Sequence, residues 1–153
     1  MDNKNSKYER IYNQLESLLT KTKDPLPRMS TIIAVLHHKF SYYFWTGFYF
    51  IKDEKLIVGP YQGSLACQVL AKPHGVCWSA VIDRETVIVD DVEKFPGHIA
   101  CDSRSKSEIV VPVFDRDNSL VAVLDVDSDK GSSFDETDKI WLEKICKMIY
   151  EVY

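Results

Sequence analysis

Cys67, Cys77, Cys101 and Cys146 are the cysteines of this 153-residue chain, and they carry its widest range of possible chemistry. A thiol attacks only as thiolate, and nearby positive charge raises the thiolate fraction. Cys101 lies in the polar segment Gly97-His98-Ile99-Ala100-Cys101-Asp102-Ser103-Arg104-Ser105, beside His98 and Arg104. It is the best nucleophile candidate, set against the plainer reading of a loop cysteine with no role. Cys67 in Gly63-Ser64-Leu65-Ala66-Cys67 and Cys77 in Gly75-Val76-Cys77-Trp78 follow glycines closely, which suggests bends and partial exposure. Either could approach Cys101 in the fold. Cys146 sits among apolar positions of a closing helix and is expected to pack there. Cys67, Cys77, His98 and Cys101 are also ligand types suited to zinc. No Cys-x-x-Cys pair occurs, however, so no metal and no cofactor is expected.

A second group is acidic. Glu108 opens the apolar run Glu108-Ile109-Val110-Val111-Pro112-Val113, and Asp125 and Asp127 alternate with Leu124 and Val126. Residues at i and i+2 of a strand share a face, so the two aspartates point together. Crowded carboxylates raise one another's pKa, which suits them to hold an ammonium group or to donate a proton. A solvated strand end is the plainer alternative. Trp45 and Tyr49, with Tyr43, are expected on one strand face, as core or as the wall of a small apolar pocket with polar handles.

The elements that must position these residues follow from periodicity. Tyr8, Ile11, Tyr12, Leu15, Leu18 and Leu19 have helical spacing, ending near Asp24-Pro25-Leu26-Pro27 where proline disfavours helix. A second helix is expected from Ser30, burying Ile32, Ile33, Val35 and Leu36. Aromatic and β-branched runs predict strands over 44–51, 55–58, 86–89, 108–114 and 120–126. The last two are joined by turn residues only and form a hairpin. A short helical stretch over 77–83, an irregular segment over 95–107 and a closing helix from about Asp135 complete the chain. Ile140, Trp141, Ile145, Met148 and Ile149 form that helix's apolar face. This order suggests an α+β domain, an antiparallel sheet with helices packed on its faces, spanning 1–153 as one unit.

Composition limits the partners. With 45% hydrophobic and 27% charged residues the chain is globular, and a net charge of −4 with no Lys/Arg stripe argues against nucleic acid. The first ten residues lack an apolar h-region and no run is long enough to span a membrane, so a cytoplasmic location is expected.

Together, Trp45-Thr46-Gly47-Phe48-Tyr49, Gly59-Pro60-Tyr61-Gln62-Gly63 with Ala66-Cys67, Gly75-Val76-Cys77, Asp91-Val92, Phe95-Pro96-Gly97-His98-Ile99-Ala100-Cys101-Asp102, Ser107-Glu108-Ile109-Val110-Val111-Pro112 and Leu124-Asp125-Val126-Asp127-Ser128 resemble the GAF-domain free methionine-(R)-sulfoxide reductases. The resemblance implies a GAF-like α+β fold and reduction of free methionine-(R)-sulfoxide. It makes Cys101 the nucleophile, Cys67 the principal resolving cysteine and Cys77 a secondary one. It also places Glu108, Asp125 and Asp127 around the substrate, with Glu108 as proton donor, and Trp45 and Tyr49 against the S-methyl group. Trp78 stands where relatives commonly have glycine, crowding Cys77. A sulfenic acid on Cys101 would then condense to a disulfide, and thioredoxin or a similar dithiol reductant would recycle it. The rival expectation is a non-catalytic GAF module that binds a small ligand or senses redox state. Whether the chain forms a homodimer is left open by the sequence.

Overall fold

Asn3 caps the first helix, α1 (Lys4–Leu18), by accepting from the Ser6 amide at 2.8 Å, so the helix starts four residues before the expected Tyr8. α1 belongs to a computed structural model that describes residues 3–98 and 100–151; Ile99 of the Cys101 segment and the outermost two positions at each end of the expected 1–153 domain lie outside the described residues. The second helix, α2 (Pro25–Lys39), starts five residues before Ser30. Asp24 accepts from the Leu26 amide, and Pro25 occupies the first turn, where its missing N–H is no loss and its fixed φ suits a helix. The prolines expected to end one helix therefore begin another. Arg28, fully buried on α2, donates to the carbonyls of Met148, Ile149 and Glu151 and ties α2 to the end of the chain's last helix.

Six antiparallel strands follow among the described residues: β1 (Trp45–Lys52), β2 (Lys55–Gln62), β3 (Val69–Ala71), β4 (Val87–Val89), β5 (Ser107–Phe114) and β6 (Leu120–Ser128), in the spatial order β3-β2-β1-β6-β5-β4. The β5–β6 hairpin lies where expected. β2 runs past the expected Val58 because the register shifts between Gly47 and Tyr49 of β1, leaving Pro60, which has no N–H to give, outside the paired positions. β3, only three residues long and polar at both flanks, has no periodicity to reveal it.

α1, α2 and α4 (Glu136–Lys147) bury Tyr8, Leu15, Ile32, Leu36, Leu142 and Ile145 against one face of the sheet, through Phe48, Val111 and Leu124. On α4 the core position is Leu142, while Ile140 is exposed, contrary to expectation. Cys146 packs in this core as expected. The opposite face carries α3 (Val76–Asp83) and the loops, packed on Trp45, Tyr49, Val110 and Val123. Tyr43 precedes β1 and joins the first core, sharing a hydrogen bond with Tyr8, so it does not share the face of Trp45 and Tyr49. Among the described residues no helix is long and apolar enough to cross a membrane.

Candidate active site

Strand register gathers the acidic and aromatic residues. Directly opposed residues of antiparallel strands present their side chains to the same face. Trp45 pairs with Asp127 and Gly47 with Asp125 across β1–β6, while Glu108 pairs with Asp127 across β5–β6. Trp45, Tyr49, Glu108, Asp125 and Asp127 thus line one pocket under α3, together with Cys77, His98 and Cys101. Gly47 is required there, because a Cβ at this position would run into the Trp45 indole and Tyr61. With that space open, the indole lies flat between Tyr61 and Tyr49, at centroid distances of 5.4 and 5.8 Å.

The carboxyls are removed from water: Glu108 is 5% exposed and Asp125 6%, and Asp127 is half-buried. Burial, followed by the charges of Asp125 and Asp127, pushes the Glu108 carboxyl well above its ordinary pKa. Burial raises Asp127 strongly too, reinforced by Asp125. Asp125 is also raised by burial, an effect that its neighbours Glu108 and Cys77 partly offset. The arrangement therefore favours a proton on Glu108 and Asp127 more than on Asp125. Asp125 Oδ1 has no hydrogen-bond partner among the described residues.

Cys67 and Cys101 are joined by a disulfide with a Cα–Cα distance of 5.5 Å. Cys101 is exposed and Cys67 half-buried. The Cys67 loop leaves β2 through Gly63, whose φ of +119° and contact with the Phe44 carbonyl leave no room for a side chain. Two aromatic side chains of β1 hold this loop: Trp45 Nε1 donates to the Ser64 carbonyl at 3.0 Å, and Tyr49 Oη to the Cys67 carbonyl at 2.9 Å.

Two expectations change. Cys77 is not partly exposed: it is buried in the first turn of α3, and burial together with Asp125, Glu108 and Asp127 pushes its thiol pKa well up. Arg104 and His98 do not act as free cations beside Cys101. Arg104 grips Asp102 with Nε and Nη2 at 3.0 and 2.7 Å and lies over the Phe44 ring, holding Asp102 well below the usual carboxylate range. Burial lowers the pKa of His98 and favours its neutral form. Of the zinc-type donors Cys67, Cys77, His98 and Cys101, two thiols form the disulfide. A different cluster with donor atoms suited to a metal does form, from Cys77, Glu108 and Asp125. Trp78 serves the core, its indole N–H donating to the Leu70 carbonyl at 2.9 Å and tying α3 to β3. Leu70 and His74 also line the pocket and escaped notice in the sequence, Leu70 because its strand is too short to show a period.

Residues 33–149 match the family model described as GAF domain. The chain is 46% identical over 147 residues to GAF domain-containing protein A of Dictyostelium discoideum, covering 95% of this chain and 92% of that one. It is 33% identical over 150 residues to free methionine-R-sulfoxide reductase of Escherichia coli strain K12, covering 98% and 90%. The solved structure of free methionine-R-sulfoxide reductase from Neisseria meningitidis in complex with its substrate superposes with a TM-score of 0.92 at 38% identity, over 97% of this chain and 89% of that one.

Proposed function

The chain belongs to the GAF-domain free methionine-R-sulfoxide reductases, and from that premise we propose that it reduces free L-methionine-(R)-S-oxide to L-methionine with Cys101 as nucleophile. A sulfoxide sulfur is a poor electrophile until its oxygen is protonated or strongly hydrogen-bonded. Glu108, kept protonated by burial and by its acidic neighbours, is the proton donor. Cys101 thiolate attacks the sulfur and forms a transient S–S bond. The protonated oxygen then moves from the substrate sulfur to the Cys101 sulfur as that S–S bond and the substrate S–O bond break, so methionine leaves reduced and Cys101 is oxidised to sulfenic acid. The Cys67 thiol then attacks that sulfur and expels water, forming the Cys67–Cys101 disulfide. A dithiol reductant of the thioredoxin class supplies two electrons and two protons by exchange, returning both thiols and leaving with its own disulfide.

Asp125 and Asp127 hold the substrate ammonium, and the orphan Asp125 Oδ1 is a ready acceptor for one of its protons. Trp45 and Tyr49 receive the S-methyl group, which sets the chirality at sulfur by leaving the oxygen to Glu108. Cys77, buried beside Asp125, is a poor source of thiolate and stands second to Cys67 as resolving thiol. Recycling by a dithiol suits the reducing cytoplasm.

The observation that carries this reading is a disulfide with one exposed member, Cys101, lining the pocket that also holds Glu108, Asp125 and Asp127. The test is turnover of free methionine-(R)-sulfoxide with a thioredoxin system, for the wild type and Cys101→Ser. Turnover by the wild type and its loss in the serine variant are expected. An inactive wild type, or a serine variant of full activity, overturns the reading.

A further inference from the structure

Cys77, Glu108 and Asp125 come from α3, β5 and β6, so no local motif groups them, yet one donor atom of each lies within 4.8 Å of the other two. All three residues are at least nine-tenths buried. One thiol sulfur and two carboxylate oxygens form a donor set that Zn²⁺ accepts. Zinc–sulfur and zinc–oxygen bonds of about 2.3 and 2.0 Å give tetrahedral edges of roughly 3.3 to 3.5 Å, a contraction from the 4.8 Å within which these donor atoms lie. The second observation is the bare Asp125 Oδ1, a buried acceptor on a residue that lines the pocket.

We propose that Cys77, Glu108 and Asp125 form a binding site for a thiophilic divalent cation of the zinc type, with three protein ligands and the fourth position open to the pocket. Metal entry displaces the thiol proton and the proton shared by the carboxyls. The bound dication then stands where the substrate ammonium is proposed to sit, so the metal acts as an inhibitor of the reductase. This inhibition rests on the proposed function; the metal binding itself does not.

The experiment uses Co²⁺ as probe on the full chain in its disulfide form, where Cys77 and Cys146 are the thiols left. A thiolate-to-cobalt charge-transfer band saturating at one equivalent, and bleached by Zn²⁺, is expected. It should vanish in Cys77→Ser, persist in Cys146→Ala, and need at least tenfold more Co²⁺ in Asp125→Asn, a shape-conserving variant that tests the site should Cys77→Ser fold poorly. A wild type without the band, or a band that survives Cys77→Ser or depends on Cys146, overturns the site. Zn²⁺ should also block single-turnover methionine release from reduced protein. If Co²⁺ binds as stated and release is nevertheless unaffected, it is the placement of substrate in this pocket that fails, and the metal site stands.

Discussion

Tyr49 donates its phenolic proton to the carbonyl oxygen of Cys67 at 2.9 Å, so a wall of the pocket is also a tie on the loop that carries the resolving thiol. Trp45 does the same four residues earlier on β1, through its indole N–H and the Ser64 carbonyl. The rings proposed to receive the S-methyl group and the loop that must reach Cys101 are therefore one mechanical unit.

Removing the Tyr49 hydroxyl tests that unit. Tyr49→Phe keeps the ring and deletes one hydrogen bond, a net loss of about 1 kcal/mol, or roughly fivefold in the population of the docked loop. Disulfide closure should slow by about that factor relative to methionine release, and sulfenic acid on Cys101 should persist longer in time-resolved trapping with dimedone. Closure at the wild-type rate would leave the bond with no part in resolution.

Glu108→Gln separates chemistry from stability. Loss of the proton donor should lower turnover about 10²-fold or more. Because the folded-state pKa of Glu108 is raised, its contribution favours the fold below the unfolded carboxyl's pKa of about 4.3 and is lost as pH rises towards the folded value. The glutamine variant should accordingly be more stable than the wild type near pH 7 and lose that advantage below about pH 4. Denaturation midpoints at the two pH values check the sign; a variant less stable at pH 7 would mean that Glu108 is not strained by its surroundings.

Much of the fold and site is legible in the residues themselves, for definite reasons. The Asp125/Asp127 alternation and the β-branched runs are period-two signals, and they located β5 and β6 and the face on which the aspartates meet. Pairings across the sheet, such as Trp45 with Asp127, carry no local signal. Tyr43 leaves the face of Trp45 and Tyr49 because β1 begins two residues after it, which breaks the alternation. The glycine before Cys77 signals a bend, whereas the burial of Cys77 is set by the sheet beneath α3. Nor could spacing reveal that Asp102 would occupy Arg104, since i, i+2 residues meet only when a loop bends to bring them together.

Gly47→Ala probes the pocket floor. The added methyl collides with the Trp45 indole and Tyr61 and forces the ring out of its stack, at a cost of roughly 1–3 kcal/mol for overpacking. The expected outcome is a raised KM for free methionine-(R)-sulfoxide and altered tryptophan fluorescence. An unchanged KM would show that the indole's seat does not shape the substrate site.

Asp138 provides the contrast, a buried charge remote from the chemistry. It is fully buried at the start of α4 and accepts from Tyr8 and Tyr42 hydroxyls at 2.7 Å each, from Lys4 Nζ at 2.6 Å and from the Asp135 amide at 2.8 Å. α1, α4 and the entrance to β1 thus converge on one carboxylate. Asp138→Ala removes the shared acceptor of the Tyr8 and Tyr42 hydroxyls, while the partly exposed Lys4 keeps Asp135 and the Ser133 carbonyl. The expected loss is about 3 kcal/mol, on the scale of hydrogen bonds to a charged group. Urea denaturation should show that loss while turnover per folded molecule stays at the wild-type level, because neither α1 nor α4 contributes a side chain to the pocket. If activity falls with stability intact, the helical face of the sheet is coupled to the site through β1, and the two cores are not independent.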